Sequence, residues 1–144
     1  MFILDTNVVS ELRKARSGRA DTGVAAWAAA VEPSTLYMSV ITAMELELGV
    51  LLAERRDRAQ GASLRRWLQA QVLTEFTDRI LPVDLPVAQL CARLHVPDPK
   101  SDRDALIAAT GLIHGMTVVT RNVSDFAATG VNLLNPWEHS KNHH

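Results

Sequence analysis

Apolar and polar positions along this chain fall into blocks that predict five short strands separated by helices. Phe2, Ile3 and Leu4 form a wholly apolar run. A run this short reads as a buried strand more easily than as a helix. Asp5 stops it, and Val8 to Leu12 reads as a short helix. Asp21 is placed to cap a helix reaching about Val31, with Val24, Trp27 and Val31 on one face and Pro33 beyond its end. Leu36 to Met38 is a second strand, and Ser39 to Ile41 leads out of it. Thr42 opens a longer helix, in which Met44, Leu48, Leu51 and Leu52 recur at helical spacing as apolar contacts. Gly49 interrupts that helix at a cost of about 1 kcal/mol relative to alanine, which permits another element to pack closely.

The pattern breaks near Gly61 and resumes at Ser63 with Leu64, Trp67, Leu68 and Val72 on an apolar face. This predicts a projecting helical pair, with Arg55, Arg56, Arg58, Arg65 and Arg66 as solvated surface around its turn. Ile80 to Val83 is the third strand, closed by Asp84 and Pro86. Val87, Leu90, Cys91 and Leu94 mark the next helix, and Pro97 and Pro99 make a loop. A helix from about Asp102 to His114 ends at Gly115. Thr117 to Thr120 is the fourth strand, Asn122 to Phe126 a helical turn, and Val131 to Leu134 the fifth strand.

Strands alternating with helices argue for an α/β fold whose five-stranded sheet is mostly parallel and covered on both faces. No repeat or linker divides the chain, so one domain is expected over residues 1–137, followed by a polar tail at 138–144. His139, His143 and His144 in that tail are too isolated to form a metal site.

Composition narrows the picture. The 144 residues suit one domain with a sizeable core, and 47% hydrophobic residues exclude a disordered chain. A formal net charge of -1 predicts neither a DNA-coating protein nor a membrane-surface one. One cysteine, Cys91, allows no intrachain disulfide and no thiolate cluster; it lies in an apolar run and reads as core. Asp5 interrupts the first apolar run too early for a secretory signal, and no run reaches membrane-spanning length. The expected compartment is the cytoplasm.

Four acids carry the candidate chemistry. Asp5 ends the first strand, Glu45 follows the second in the first turn of its helix, Asp104 opens the helix before the fourth, and Asp125 lies in the turn after it. In a parallel sheet these placements can converge at one edge, where α/β sheets bind ligands. A bland alternative stands beside this. Asp5 can cap the helix that follows. Thr42/Glu45, Ser101/Asp104 and Asn122/Asp125 share the three-residue offset of a capping box.

The chemical reading is a hard-cation site. Magnesium takes oxygen ligands and keeps waters, and manganese accepts the same set. One or two such ions relieve carboxylate repulsion, activate water and stabilise phosphoryl charge. Thr120 and Asn122 flank the site and can orient a metal-bound water. Arg13, Lys14, Arg16 and Arg19, in a glycine-containing loop, and Arg121 can form a phosphate-contacting rim, though a solvated loop is the simpler role.

Other chemistries find no support. There is no glycine-rich nucleotide loop, no HExxH and no cysteine–histidine zinc pattern. His95 and His114 lack a nucleophile partner, and Ser10 and Ser39 lack an elbow motif. Two alternatives to a metal nuclease stay open. One is a phosphatase or phosphotransfer domain, weakened by Asn7 standing where a second aspartate would be. The other is a non-catalytic protein-binding module whose acids only cap helices. Trp27 and Trp67 fit either the core or contacts between chains.

The chain resembles the PIN-domain family, and closely the VapC/FitB-type toxin ribonucleases of type II toxin–antitoxin systems. The resemblance runs from about residue 2 to 137. It is carried by Leu4-Asp5-Thr6-Asn7-Val8-Val9-Ser10, by Ser39-Val40-Ile41-Thr42-Ala43-Met44-Glu45-Leu46 with Gly49, by Asp104-Ala105-Leu106-Ile107-Ala108-Ala109-Thr110, by Val119-Thr120-Arg121-Asn122-Val123-Ser124-Asp125-Phe126, and by Asn135-Pro136-Trp137. It implies a three-layer α/β/α fold and a magnesium- or manganese-dependent endoribonuclease. Catalytic roles pass to Asp5, Glu45, Asp104 and Asp125, where Asn122 can share the role of Asp125. It also implies a homodimer and a cognate antitoxin that occupies the groove and blocks the site. Transfer RNA, other structured RNA and messenger RNA are all open as substrates.

Overall fold

In a computed structural model of the chain, residues 1–142 are described; His143 and His144 lie outside them. Five strands form one sheet: β1 (Phe2–Leu4), β2 (Leu36–Ser39), β3 (Ile80–Leu81), β4 (Thr117–Val119) and β5 (Leu133–Leu134). Their spatial order is β3-β2-β1-β4-β5, and every pairing is parallel. The helices are α1 (Thr6–Leu12), α2 (Thr22–Ala30), α3 (Val40–Arg56), α4 (Arg58–Arg66), α5 (Leu73–Glu75), α6 (Leu85–Leu94), α7 (Asp102–His114) and α8 (Val123–Phe126). A wider helical turn, Trp67–Val72, joins α4 to α5.

Period-two alternation builds the three layers. Leu4 pairs with Val119, and both enter a core with Val8, Trp27, Met38, Leu46 and Phe76. Ile3 pairs with Val118, and both turn the other way, onto Ile107, Ala108 and Phe126. One face is thus covered by α1 to α5 and the other by α7 and α8. Cys91 is buried between α6 and α7 with Val87, Ala105 and Ala109, as its apolar run predicts. Trp27 belongs to the monomer core: it is 3% exposed and meets the Phe2 ring edge-on at 5.4 Å. Chain-to-chain contact through Trp27 is therefore ruled out.

The second crossover departs from the sequence reading in three ways. α3 starts at Val40, because Ser39 rather than Thr42 is its cap and accepts from Ile41 N at 3.0 Å. Its buried face is Thr42, Leu46, Val50 and Ala53, whereas Met44, Leu48, Leu51 and Leu52 are exposed. Both sets recur at helical spacing, so periodicity alone could not choose between them. The helix then ends at Asp57, whose carboxylate caps α4 through Ala59 N and Gln60 N at 3.0 and 3.2 Å.

Gly61 is not the break but the contact within the helical pair. A Cβ there would lie 2.5 Å from Glu54 Cα. Gly49, where a close approach was expected, has no other element within 4 Å of its Cβ position among the described residues. Arg65 is not free surface either; it bridges Glu47 at 2.7 Å and Glu54 at 3.3 Å across the pair. At the other end of the chain, Pro136–Asn142 is a 3-10 segment against α2, with Pro136 O 2.8 Å from the Cβ position of Gly23. No helix among the described residues is long and apolar enough to cross a membrane.

Candidate active site

The chain builds the sheet outward from β1 to β2 and β3, then returns to place β4 and β5 on the other side. The crevice at the carboxyl ends of β1 and β4 is therefore the topological switch point, where open parallel sheets bind ligands. The residues that follow these strands are Asp5 and Thr120.

Asp5 is only 6% exposed and is held on every side. Its Oδ1 accepts from Thr6 N at 2.9 Å, which caps α1. Its Oδ2 accepts from the Thr120 hydroxyl at 2.8 Å and from Asn7 Nδ2 at 3.2 Å. Burial pushes the Asp5 carboxyl up; the Thr120 and Thr6 bonds oppose that shift, the charge of Glu45 adds to it, and the Asn7 bond opposes it. Thr120 is fully buried, and its one hydroxyl hydrogen goes to Asp5. It therefore holds a carboxylate rather than a water. Its oxygen accepts from Asn122 N at 3.0 Å, and Asn7 Oδ1 accepts from Arg121 N at 3.2 Å, so the loop after β4 is tied to the start of α1.

Glu45 lies in the second turn of α3, not the first, because the helix begins earlier than expected. That extra turn carries its carboxylate back over α1, where Thr6 Oγ1 donates to Oε1 at 2.8 Å. Arg103 Nη1 stands 3.5 Å from Oε2. Asp104 lies in the first turn of α7 and Asp125 in the first turn of α8. Burial, followed by the charges of Asp5, Asp125 and Glu45, pushes the Asp104 carboxyl up to about 6. Asp104 is thus within electrostatic reach of the other three acids, and Asp5 within reach of Glu45.

Capping does not account for the three later acids. Ser39 caps α3, and Glu45 bonds Thr6 instead of Thr42. Ser101 Oγ accepts from Asp104 N at 3.4 Å, which is one half of a capping box. Asn122 makes no side-chain cap bond.

Among the described residues, no three His, Cys, Asp or Glu side chains form a group that could hold one metal ion. The donor chemistry nonetheless fits a hard divalent cation. Every acid offers only oxygen, and at Asp104 the charges of Asp5, Asp125 and Glu45 add to the effect of burial. A cation that keeps waters does not need a closed cage of side chains.

The basic residues are scattered. Arg121 lies over the Trp137 ring at 5.2 Å, beside the site through its backbone bond to Asn7. Lys14 pairs with Glu11 at 3.2 Å, and Arg19 Nε donates to Ser17 Oγ at 3.0 Å. Arg13 and Arg16 line a cavity of about 400 Å³ with Leu12, Trp67 and Phe76. Thr6, Asn7 and Arg103 were given no role at the site by sequence reasoning. The first two directly follow Asp5, a position that was itself a signal; Arg103 carried none, because its partner Glu45 is 58 residues away.

A parallel three-layer α/β/α domain with carboxylates gathered at its switch point defines the class. The PIN domain family model matches residues 2–131. The chain belongs to the PIN domain family and, within it, to the VapC/FitB type. It is 40% identical over 143 residues to VapC ribonuclease Y4jK of Sinorhizobium fredii, covering 96% of this chain and 99% of the relative. The structure of FitAcB from Neisseria gonorrhoeae superposes with a TM-score of 0.86 at 35% identity, over 95% of this chain and 99% of that one. A toxin-antitoxin complex from Klebsiella pneumoniae matches with a TM-score of 0.64 at 26% identity, over 94% and 98% of the two chains.

Proposed function

We propose that this protein is a metal-dependent endoribonuclease and the toxin of a toxin–antitoxin pair. The observation that carries the reading is geometric: Asp5 is buried at the end of β1 and Glu45 is held beside it through Thr6, while Asp104 and Asp125 lie in the first turns of α7 and α8. Burial first, and then the charges of Asp5, Asp125 and Glu45, raise the Asp104 carboxyl, and a divalent cation offsets the charge part of that cost. Asp5, Glu45, Asp104 and Asp125 would hold magnesium or manganese, directly or through water. The chemistry a bound divalent cation supplies at such an edge is water activation and neutralisation of phosphoryl charge.

The remaining residues prepare the site. Thr120, Asn7 and the Thr6 amide orient Asp5, and the Thr6 hydroxyl orients Glu45. Arg13, Lys14, Arg16, Arg19 and Arg121 offset the acidic field toward an RNA backbone; such contacts position a phosphate without reading bases. Asn122 is exposed beside Asp125 and available to orient water.

A cognate antitoxin as partner follows from similarity to the Klebsiella pneumoniae complex. A homodimer is supported by the exposed apolar stripe Met44, Leu48, Leu51 and Leu52 along α3.

The test is cleavage of RNA by pure protein with magnesium or manganese, compared with Asp5→Asn at equal concentration. Turnover should fall to background in a variant that still folds. Near-normal cleavage by folded Asp5→Asn would end this assignment.

A further inference from the structure

Gly49 stands inside α3, an exposed position where alanine is the better helix former. Packing gives no reason for it, because a Cβ there meets no heavy atom within 4 Å among the described residues outside its own stretch of helix. What the missing side chain leaves open is a cavity of about 170 Å³ lined by Thr6, Ser10, Glu45, Gly49, Leu64 and Trp67. Gly49 lies one helical turn beyond Glu45. The cavity therefore begins at the acidic edge and runs toward the α4 side of the helical pair.

We propose that this cavity receives one nucleobase of an RNA substrate, stacked on Trp67, while the adjoining phosphate lies at the acidic edge. The proposal rests on the ribonuclease reading above and adds to it a base-selecting site. A nucleobase has an apolar face and a polar rim. The cavity offers Leu64 and Trp67 for the face, and the Ser10 hydroxyl, which has no hydrogen-bond partner among the described residues, for the rim. Trp67 is half-buried, and it also lines the larger cavity of about 400 Å³ that carries Arg13 and Arg16. Neither of those guanidinium groups has an ion-pair partner among the described residues. A base on Trp67 would thus have the carboxylate edge on one side and two cations for its sugar–phosphate chain on the other. An apolar side chain of a protein partner would use the walls but not that pair of charges.

Two measurements test this. The first follows Trp67 fluorescence, with Trp67→Phe as reference, during titration with each of the four nucleoside 5′-monophosphates in magnesium. The second maps cut sites in a random-sequence RNA pool. Gly49→Ala and Gly49→Leu fill the cavity in steps; thermal melts should show both folded, since the added atoms enter open space. One or two monophosphates should quench Trp67. Gly49→Leu should weaken that binding about tenfold, the size of one lost base stack, with Gly49→Ala between. In the pool, base preference at one position beside the cut should flatten in the same order. Trp67→Ala should have the same effect, and it carries the test if Gly49→Leu does not fold.

Unchanged monophosphate binding together with unchanged base preference in Gly49→Leu would overturn the proposal. So would loss of a protein partner by Gly49→Leu with nucleotide binding intact, which assigns the cavity to that partner. Monophosphate binding that depends on Gly49, in a protein that cuts no RNA, would keep the base site and remove the ribonuclease reading. RNA cleavage whose base preference ignores Gly49 would do the reverse.

Discussion

The Thr120 hydroxyl donates a 2.8 Å hydrogen bond to Asp5 Oδ2, although the two residues are 115 positions apart. Both are buried, and both follow paired residues at the ends of adjacent strands. The bond couples the crossing point of the sheet to the most buried acid of the site. Thr120→Val keeps the shape and removes the donor, leaving Asn7 as the only side-chain donor to Asp5 Oδ2 among the described residues. It should cost about 1–3 kcal/mol of stability and raise the Asp5 carboxyl further, with a loss of RNA cleavage. Thr120→Ser should restore most of each. Denaturant unfolding and cleavage rates measured on the two variants check this; equal behaviour of Val and Ser would contradict it.

The raised Asp104 carboxyl predicts that stability falls with rising pH in the weakly acidic range. Its carboxyl is raised from an ordinary 3.8 to about 6 in the fold. Between these values the folded protein binds more protons than the unfolded chain, so stability falls as pH rises through that window. The contribution is fully present below pH 3.8 and lost above pH 6. Without divalent ions, wild type should lose stability from about pH 4 to 6 relative to Asp104→Asn, whose profile should be flatter. Added magnesium should shrink the difference while Asp104→Asn remains inactive. Thermal melts across pH, with chelator or with magnesium, provide the measurement.

Gly61 and Gly49 should respond oppositely to alanine. At Gly61 the new Cβ would meet Glu54 Cα and Cγ at 2.5 Å, and backbone cannot move aside cheaply. Gly61→Ala should destabilise by about 1–3 kcal/mol or more by forcing α3 and α4 apart. Gly49→Ala should stabilise by up to about 1 kcal/mol through helix propensity. Urea denaturation of the two single variants suffices as a check.

The exposed stripe on α3 should be what joins two copies. Leu48 is 39% exposed and Leu52 is 50% exposed, so changing them to glutamate leaves the monomer core alone. The double variant should sediment as a monomer at concentrations where wild type is a dimer, with its helical circular dichroism unchanged. A wild-type protein that sediments as a monomer, or a double variant that stays dimeric, would refute this contact.

Much of this protein is readable along the chain because the governing interactions are local. The apolar run Phe2–Leu4 followed by Asp5, the cap of α2 by Asp21, the turn to left-handed backbone at Gly115 and the alternation of strands with helices depend on neighbours in sequence. So do the places of Asp5 after a strand and of Asp104 and Asp125 in the first turn of a helix. Local pattern could not select between two helical stripes of α3, because Leu46 and Leu48 obey the same periodicity and only the sheet beneath decides which is buried. It could not tell that Gly61 and not Gly49 is the crossing point, since that depends on where Glu54 lies. Strand order, and with it the meeting of Asp5 with Thr120 and of Glu45 with Thr6 and Arg103, came from the tertiary structure. These are contacts between distant residues, and the geometry that selects them exists only once the chain has closed on itself.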